Sequence, residues 1–244
     1  MTVGALIWTE LKVLSRSVEF LVVTIAFPMV FFLVMSEVFG SDRAGGLDMN
    51  TYMMISMAAF GAMSVAFAVG PRVGLERQAG WNRQLRLTPL PGWGYVAVKI
   101  TVAMILALPA VLLVFLAGLL VKGIELTAGQ WLAIVLSCWI SSLPFAVLGL
   151  LIGMAVKPES AQPLGLAVYL PMAMLGGLWM PVDILPGFMA SLAKALPSYW
   201  LAEITRDRLT GTALDLLGVG VMAAWFLVAL TLVIGLYRRD AARV

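Results

Sequence analysis

The sequence predicts an all-α integral membrane protein with six transmembrane helices, and three observations carry that prediction. Hydrophobic residues make up 62% of the 244-residue chain and charged residues only 12%, against roughly 25% charged in an ordinary soluble domain. Mean hydropathy is +1.01. The apolar residues also fall into long runs, without the alternation that marks the strands of a membrane barrel. A spanning segment must satisfy its own backbone in lipid, and a helix does so within one run.

Six runs approach the roughly 20 residues that a span requires. They cover 18–39, 51–70, 95–121, 131–156, 162–179 and 214–236. Ahead of the first, Val3, Ile7, Leu11, Leu14 and Val18 share one helical face, opposite Thr9, Lys12 and Arg16. That pattern suits an amphipathic helix over 1–17, lying along the membrane surface. Charges at Glu10, Lys12, Arg16 and Glu19, with no small-residue cleavage site beyond, do not fit a cleavable signal peptide.

Orientation follows from the basic residues in the connections. An inside N-terminus gives the cytoplasm Lys12, Arg16, Arg72, Arg77, Arg83, Arg86, Lys99, Lys157, Arg238, Arg239 and Arg243. The outside receives Arg43, Lys122, Lys194, Arg206 and Arg208. Eleven against five predicts both termini in the cytoplasm, and eight of the thirteen acids fall on the outer side. Trp93, Tyr95, Trp131, Trp179 and Tyr237 near span ends read as interfacial anchors.

Several function classes lose their support. The chain has no histidine and one cysteine, Cys138, which removes the usual general base and the commonest metal ligand. No lysine lies in the GxxxxGK[ST] pattern that cradles nucleotide phosphates. A net charge of +3 gives no footprint for nucleic acid. Glu19, Glu37 and Lys99 lie near span ends, where they are expected to snorkel. The span centres are therefore free of the charges an ion-coupled secondary transporter needs. Ser191-Leu192-Ala193-Lys194 has a nucleophile–base spacing without its companion motifs. Asp183, Glu203, Asp207 and Asp215 read as a solvated outer loop rather than a metal site. Pro28, Pro109, Pro144 and Pro171 favour bends in four spans, and Gly149 and Gly153 form a GxxxG pair suited to close helix contact.

The connection over 72–94 holds the most distinctive residues. Glu76-Arg77-x-x-Gly80-Trp81-Asn82-Arg83-Gln84-Leu85-Arg86-Leu87-Thr88-Pro89 reads as a short polar helix stopped by its prolines and glycine. It resembles the motif that follows the second span of type-2 ABC exporter permeases. Trp81 and Asn82 at the usual Gly-Thr junction are similar to the drug- and antibiotic-resistance-like branch. A second resemblance lies in Gly176-Gly177-Leu178-Trp179-Met180-Pro181-Val182-Asp183-Ile184-Leu185-Pro186 and Leu196-Pro197-Ser198-Tyr199-Trp200. It is similar to the family's outer segment between spans five and six.

The resemblance implies a half-size permease of an exporter in a bacterial cytoplasmic membrane. Glu76, Arg77, Gly80, Trp81, Arg83, Leu85, Arg86, Thr88 and Pro89 would form a coupling helix on a separate ATPase. Two ATPase copies would bind ATP and Mg, leaving this chain without a cofactor, and a second permease would complete a homo- or heterodimer. The 180–213 region, with Gly177, Pro181, Pro186, Pro197 and Tyr199, would form short helices re-entering the outer membrane face. Phe27, Phe31, Met57, Phe60 and Met172 are the expected lining of a path for a hydrophobic or amphipathic cargo. A secondary transporter, or a sensor or scaffold subunit that moves nothing, are the rival readings.

Overall fold

The computed structural model describes residues 3–15, 22–40, 42–79, 94–211 and 215–242, and among these it is almost wholly helical. Helix α1 covers Val3–Ser15. A π-helical turn, Val22–Ala26, leads into α2, Phe27–Phe39, with Pro28 in its first turn. The missing proline N–H is harmless at a helix start, and the wider π turn accommodates the break in the ladder.

A small hairpin follows, β1 (Arg43–Ala44) and β2 (Leu47–Asp48), in antiparallel register with Arg43 opposite Asp48. Gly45 and Gly46 both have positive φ, 57° and 78°, as the tightest right-twisted hairpin turns require. The Asp48 carboxylate then accepts the Thr51 N–H at 2.9 Å, an N-terminal cap for α3, Met49–Gln78.

Helix α3 is the axis of the bundle. Its apolar window is 89% buried, against 22% for the last helix, and it packs on α2, on α4 (Gly94–Leu120), on α6 (Leu143–Ala155), on α7 (Pro158–Leu175) and on α9 (Pro197–Thr210). A helix that is apolar all round belongs in an interior. Small residues let its neighbours come close. A Cβ at Gly70 would fall inside the Gly149 carbonyl, and one at Gly153 inside the Gly70 carbonyl. The GxxxG pair of α6 thus meets Phe67 and Gly70 of α3, backbone against backbone.

Helix α5 (Ala128–Ser141) opens with a capping box, Thr127 and Gln130 exchanging side-chain and backbone bonds. It breaks at Ser142, and α6 starts with Pro144 in its first turn. Pro109 and Pro171, by contrast, lie inside continuous helices, as do Pro71 and Pro163. After α7 come a 3₁₀ turn (Val182–Ile184), α8 (Gly187–Ala193), α9 and finally α10, Leu216–Ala242.

Among the described residues, four helical stretches are long and apolar enough to cross a membrane: Met49–Glu76, Gly94–Leu120, Ala128–Ala155 and Leu216–Arg239. Helix α2 is apolar but has 13 residues. Helix α7 has 18, with Glu159, Gln162 and Pro163 in its first turns. The second run extends further than the sequence indicated, because α3 continues through Pro71 to Gln78. Arg72–Gln78, read above as part of a connection, is its last two turns.

Candidate functional site

Two polar clusters sit at opposite ends of the bundle. At the end where α3 stops and α4 begins, the Lys99 ammonium bonds both Glu10 of α1 and Glu76 of α3. The Lys99 side chain is 1% exposed, the carboxylates 15% and 22%. The expectation that Lys99 snorkels is therefore wrong. It points inward, because two acids from other helices lie within its reach and offer better partners than the headgroups. Tyr95 donates to the second Glu76 oxygen at 2.8 Å and stacks on Tyr237 of α10, centroids 6.0 Å apart. Arg72 lies near Glu10 and Glu76 and adds positive charge. Residues from α1, α3, α4 and α10 thus meet around one ion cluster, and the segments nearest both chain termini share this end.

Glu76, expected on the docking connection, is engaged inside the same chain by Lys99 and Tyr95. Gly80, Trp81, Arg83, Leu85, Arg86, Thr88 and Pro89 lie outside the described residues, as does the Arg77 side chain. The stems that carry them are described, and both are held by this cluster.

The opposite end is organised by Arg206, which sequence reading placed on an outer connection. It lies on α9 and is 4% exposed. Its guanidinium donates to Ser56 Oγ of α3 at 2.7 Å, to the Gly177 carbonyl at 3.4 Å and to Glu203 at 3.0 Å. It also stacks 3.9 Å above the Tyr52 ring, a desolvated cation–π contact. Glu203, expected in a solvated loop, is instead helical and paired with this arginine. Ser198, Leu201, Ala202 and Thr205 are buried on the same helix, so a helical reading of this stretch was the signal for Arg206's direction.

The proline and glycine residues of this region set short helices. Pro181 and Pro186 immediately precede the 3₁₀ turn and α8, and Pro197 opens α9. Gly177 has φ +74°, and a side chain there would meet Val182. Ser198 donates to the Met172 carbonyl at 2.6 Å, Trp200 to Lys194 and Trp225 of α10 to Ala195. Burial, reinforced by Glu203, pushes the Tyr199 hydroxyl up to about 12, so it stays neutral in ordinary media. Ser191 bonds the Gly187 carbonyl of its own helix and is exposed, an ordinary surface serine. Among the described residues no His/Cys/Asp/Glu group could hold a metal ion.

Three of the five expected path residues come together. Phe27, Phe31 and Phe60 form a chain of rings with Tyr169 and Trp179, centroids 5.3–6.3 Å apart. Phe27 is 46% exposed and Phe60 4%. Met57 and Met172 are buried in the core, 0% and 7% exposed, and are not part of this ring chain. Tyr169, which sequence reading missed, has a buried hydroxyl that faces Ser64 of α3.

Apolar helices of spanning length, with charges kept to their ends and connections, define a membrane-embedded helical protein. Comparison with known families makes the class specific. The chain belongs to the ABC-2 type transporter family, which it matches over residues 1–209. It is 30% identical over 191 residues to a transport permease of Bacillus subtilis (strain 168), YvfS, covering 78% of each chain. It is also 30% identical over 214 residues to the linearmycin resistance permease LnrN of the same organism. That match covers 80% of this chain and 48% of LnrN, so the chain spans about half that relative's length. Members of this family are membrane subunits of transporters rather than enzymes, and membership implies an ABC ATPase partner.

Proposed function

We propose that this chain is the permease of an ABC exporter that moves a hydrophobic or amphipathic molecule, drug-, antibiotic- or lipid-like, out of the cytoplasm or inner leaflet. Two permease copies, identical or from two related genes, would pair with two ATPase subunits that bind ATP and Mg. Each copy would cross a bacterial cytoplasmic membrane six times with both termini inside, α1 on the inner surface and 180–213 at the outer face.

The observation that carries this reading is the bracing of the 80–93 connection. Its two stems are locked to each other at the end where α1 and the C-terminal part of α10 also lie. A segment that receives force from an ATPase needs rigid stems, since a loose one would dissipate the stroke. The name of LnrN, a resistance permease, supports a drug-like cargo. The ring chain of Phe27, Phe31, Phe60, Tyr169 and Trp179 supports an apolar or aromatic one.

The test is co-purification with an ABC ATPase encoded beside the gene, followed by ATP turnover and cargo efflux in proteoliposomes. Substitutions at Gly80 and Glu76 are expected to lower efflux by about tenfold, the scale of coupling energies near 1–3 kcal/mol. No ATPase binding, or unchanged efflux in both variants, would overturn the proposal. An assembled complex that hydrolyses ATP without moving cargo would favour the sensor or scaffold reading.

A further inference from the structure

We propose that Lys99 is a positioning residue that carries movement of the 80–93 connection to the N-terminal helix α1, a role that rests on the exporter reading above. The argument begins with how α1 is attached. It packs mainly on α4, and among its described side chains Leu6 is the fully buried one, 1% exposed. Glu10 follows one turn later on the same face, and its carboxylate reaches Lys99. Leu6, with Ile7 and Leu11 packed against the core beside it, and Glu10 therefore hold α1 by both apolar and ionic contacts.

Lys99 has a second partner, and its location matters. Glu76 lies four residues before Gly80, at the outgoing stem of the connection. Tyr95 and Lys99 lie in the first two turns of α4, at the returning stem. Lys99–Glu76 and Tyr95–Glu76 tie the stems together, while Lys99–Glu10 extends the tie to α1. One ammonium with three rotatable donors is thus shared by carboxylates on two other helices. A displacement of Glu76 shifts the balance of that sharing and is felt at Glu10.

Holding helices together does not by itself require this chemistry. Burying these ions carries a desolvation cost, and replacing a whole buried ion cluster by apolar residues of similar size is often neutral or stabilising. What the ions add is direction. They fix one register of α1 against the connection, and they do so at a point where exchange between two partners is geometrically easy.

The experiment uses the full permease–ATPase complex in lipid nanodiscs, with an environment-sensitive fluorophore on Gly4→Cys. A Cβ at Gly4 meets nothing within 4 Å, and the native Cys138 is buried, so labelling is directed to α1. The readouts are the spectral response of the label to ATP plus vanadate and the rate of ATP hydrolysis. Glu10→Gln, which leaves the Lys99–Glu76 and Tyr95–Glu76 tie between the stems in place, is expected to cut the response by about threefold or more while hydrolysis stays within about twofold. Lys99→Met should cut the response at least as far, and Lys99→Arg, which keeps the charge, should retain at least half of it. A full response in the variants, or a parallel loss of response and hydrolysis, would overturn the inference and leave the cluster a packing element. If the native chain binds no ATPase, the exporter reading falls and this inference with it. A native complex that hydrolyses ATP and responds, beside variants that respond equally, removes the inference alone.

Discussion

Lys99, Lys122 and Arg206 are three cations near helix ends with two different fates. Lys122, its side chain 11% exposed, pairs with the exposed Glu37 at the surface of the bundle. Lys99 and Arg206 turn inward. The difference is set by partners on other helices, Glu10 and Glu76 for one, Tyr52, Ser56 and the Gly177 carbonyl for the other. Linear reading sees the charge and its distance from the span end but not who waits across the bundle. Arg206 also gives a residue-scale prediction. Arg206→Leu leaves a buried serine hydroxyl and a carbonyl without their donor and is expected to cost about 2–4 kcal/mol, measured by denaturation in detergent. Arg206→Lys should recover only part of this, since a point charge cannot reach three partners as a planar fork does.

At the scale of helices, glycine placement was legible and proline effect was not. The Gly149/Gly153 pair pointed to a close contact, and the partner proved to be α3 at Phe67 and Gly70. Gly70→Ala should therefore destabilise the protein by about 1–3 kcal/mol through forced separation of α3 and α6. Gly220→Ala on exposed α10, with nothing within 4 Å of the added carbon, should be neutral or stabilising by up to about 1 kcal/mol. Thermal unfolding of both variants checks the contrast. The four prolines looked alike in sequence, yet Pro144 opens a new helix, Pro28 follows a π turn, and Pro109 and Pro171 sit inside unbroken helices. Neighbours decide such outcomes. In the turn before Pro109, for example, the Trp139 indole donates to the Met104 carbonyl at 2.7 Å.

For the whole molecule, the charge asymmetry predicts sidedness, and the bundle gives that prediction usable positions. Cysteines placed at Gly129 and Gly187, where an added side chain meets nothing, should react with an impermeant thiol reagent on intact cells. One at Asn82 should react only after the membrane is opened. Because Cys138 is buried, the native chain is its own blank. Reaction at Asn82 from outside would reverse the assigned orientation and detach the 80–93 connection from any cytoplasmic ATPase.

Composition and run length by themselves determined that this is a helical membrane protein, and the residues of 76–89 and 176–200 determined its family. Those properties depend on solvent and on local pattern, which a linear sequence carries in full. Only the tertiary structure decided that α3 is the buried axis, that Lys99 joins α1 to both stems of the connection, and that Arg206 joins α9 to α3. Each of those depends on a pairing between residues as many as 150 positions apart, and no local rule assigns a buried charge its partner.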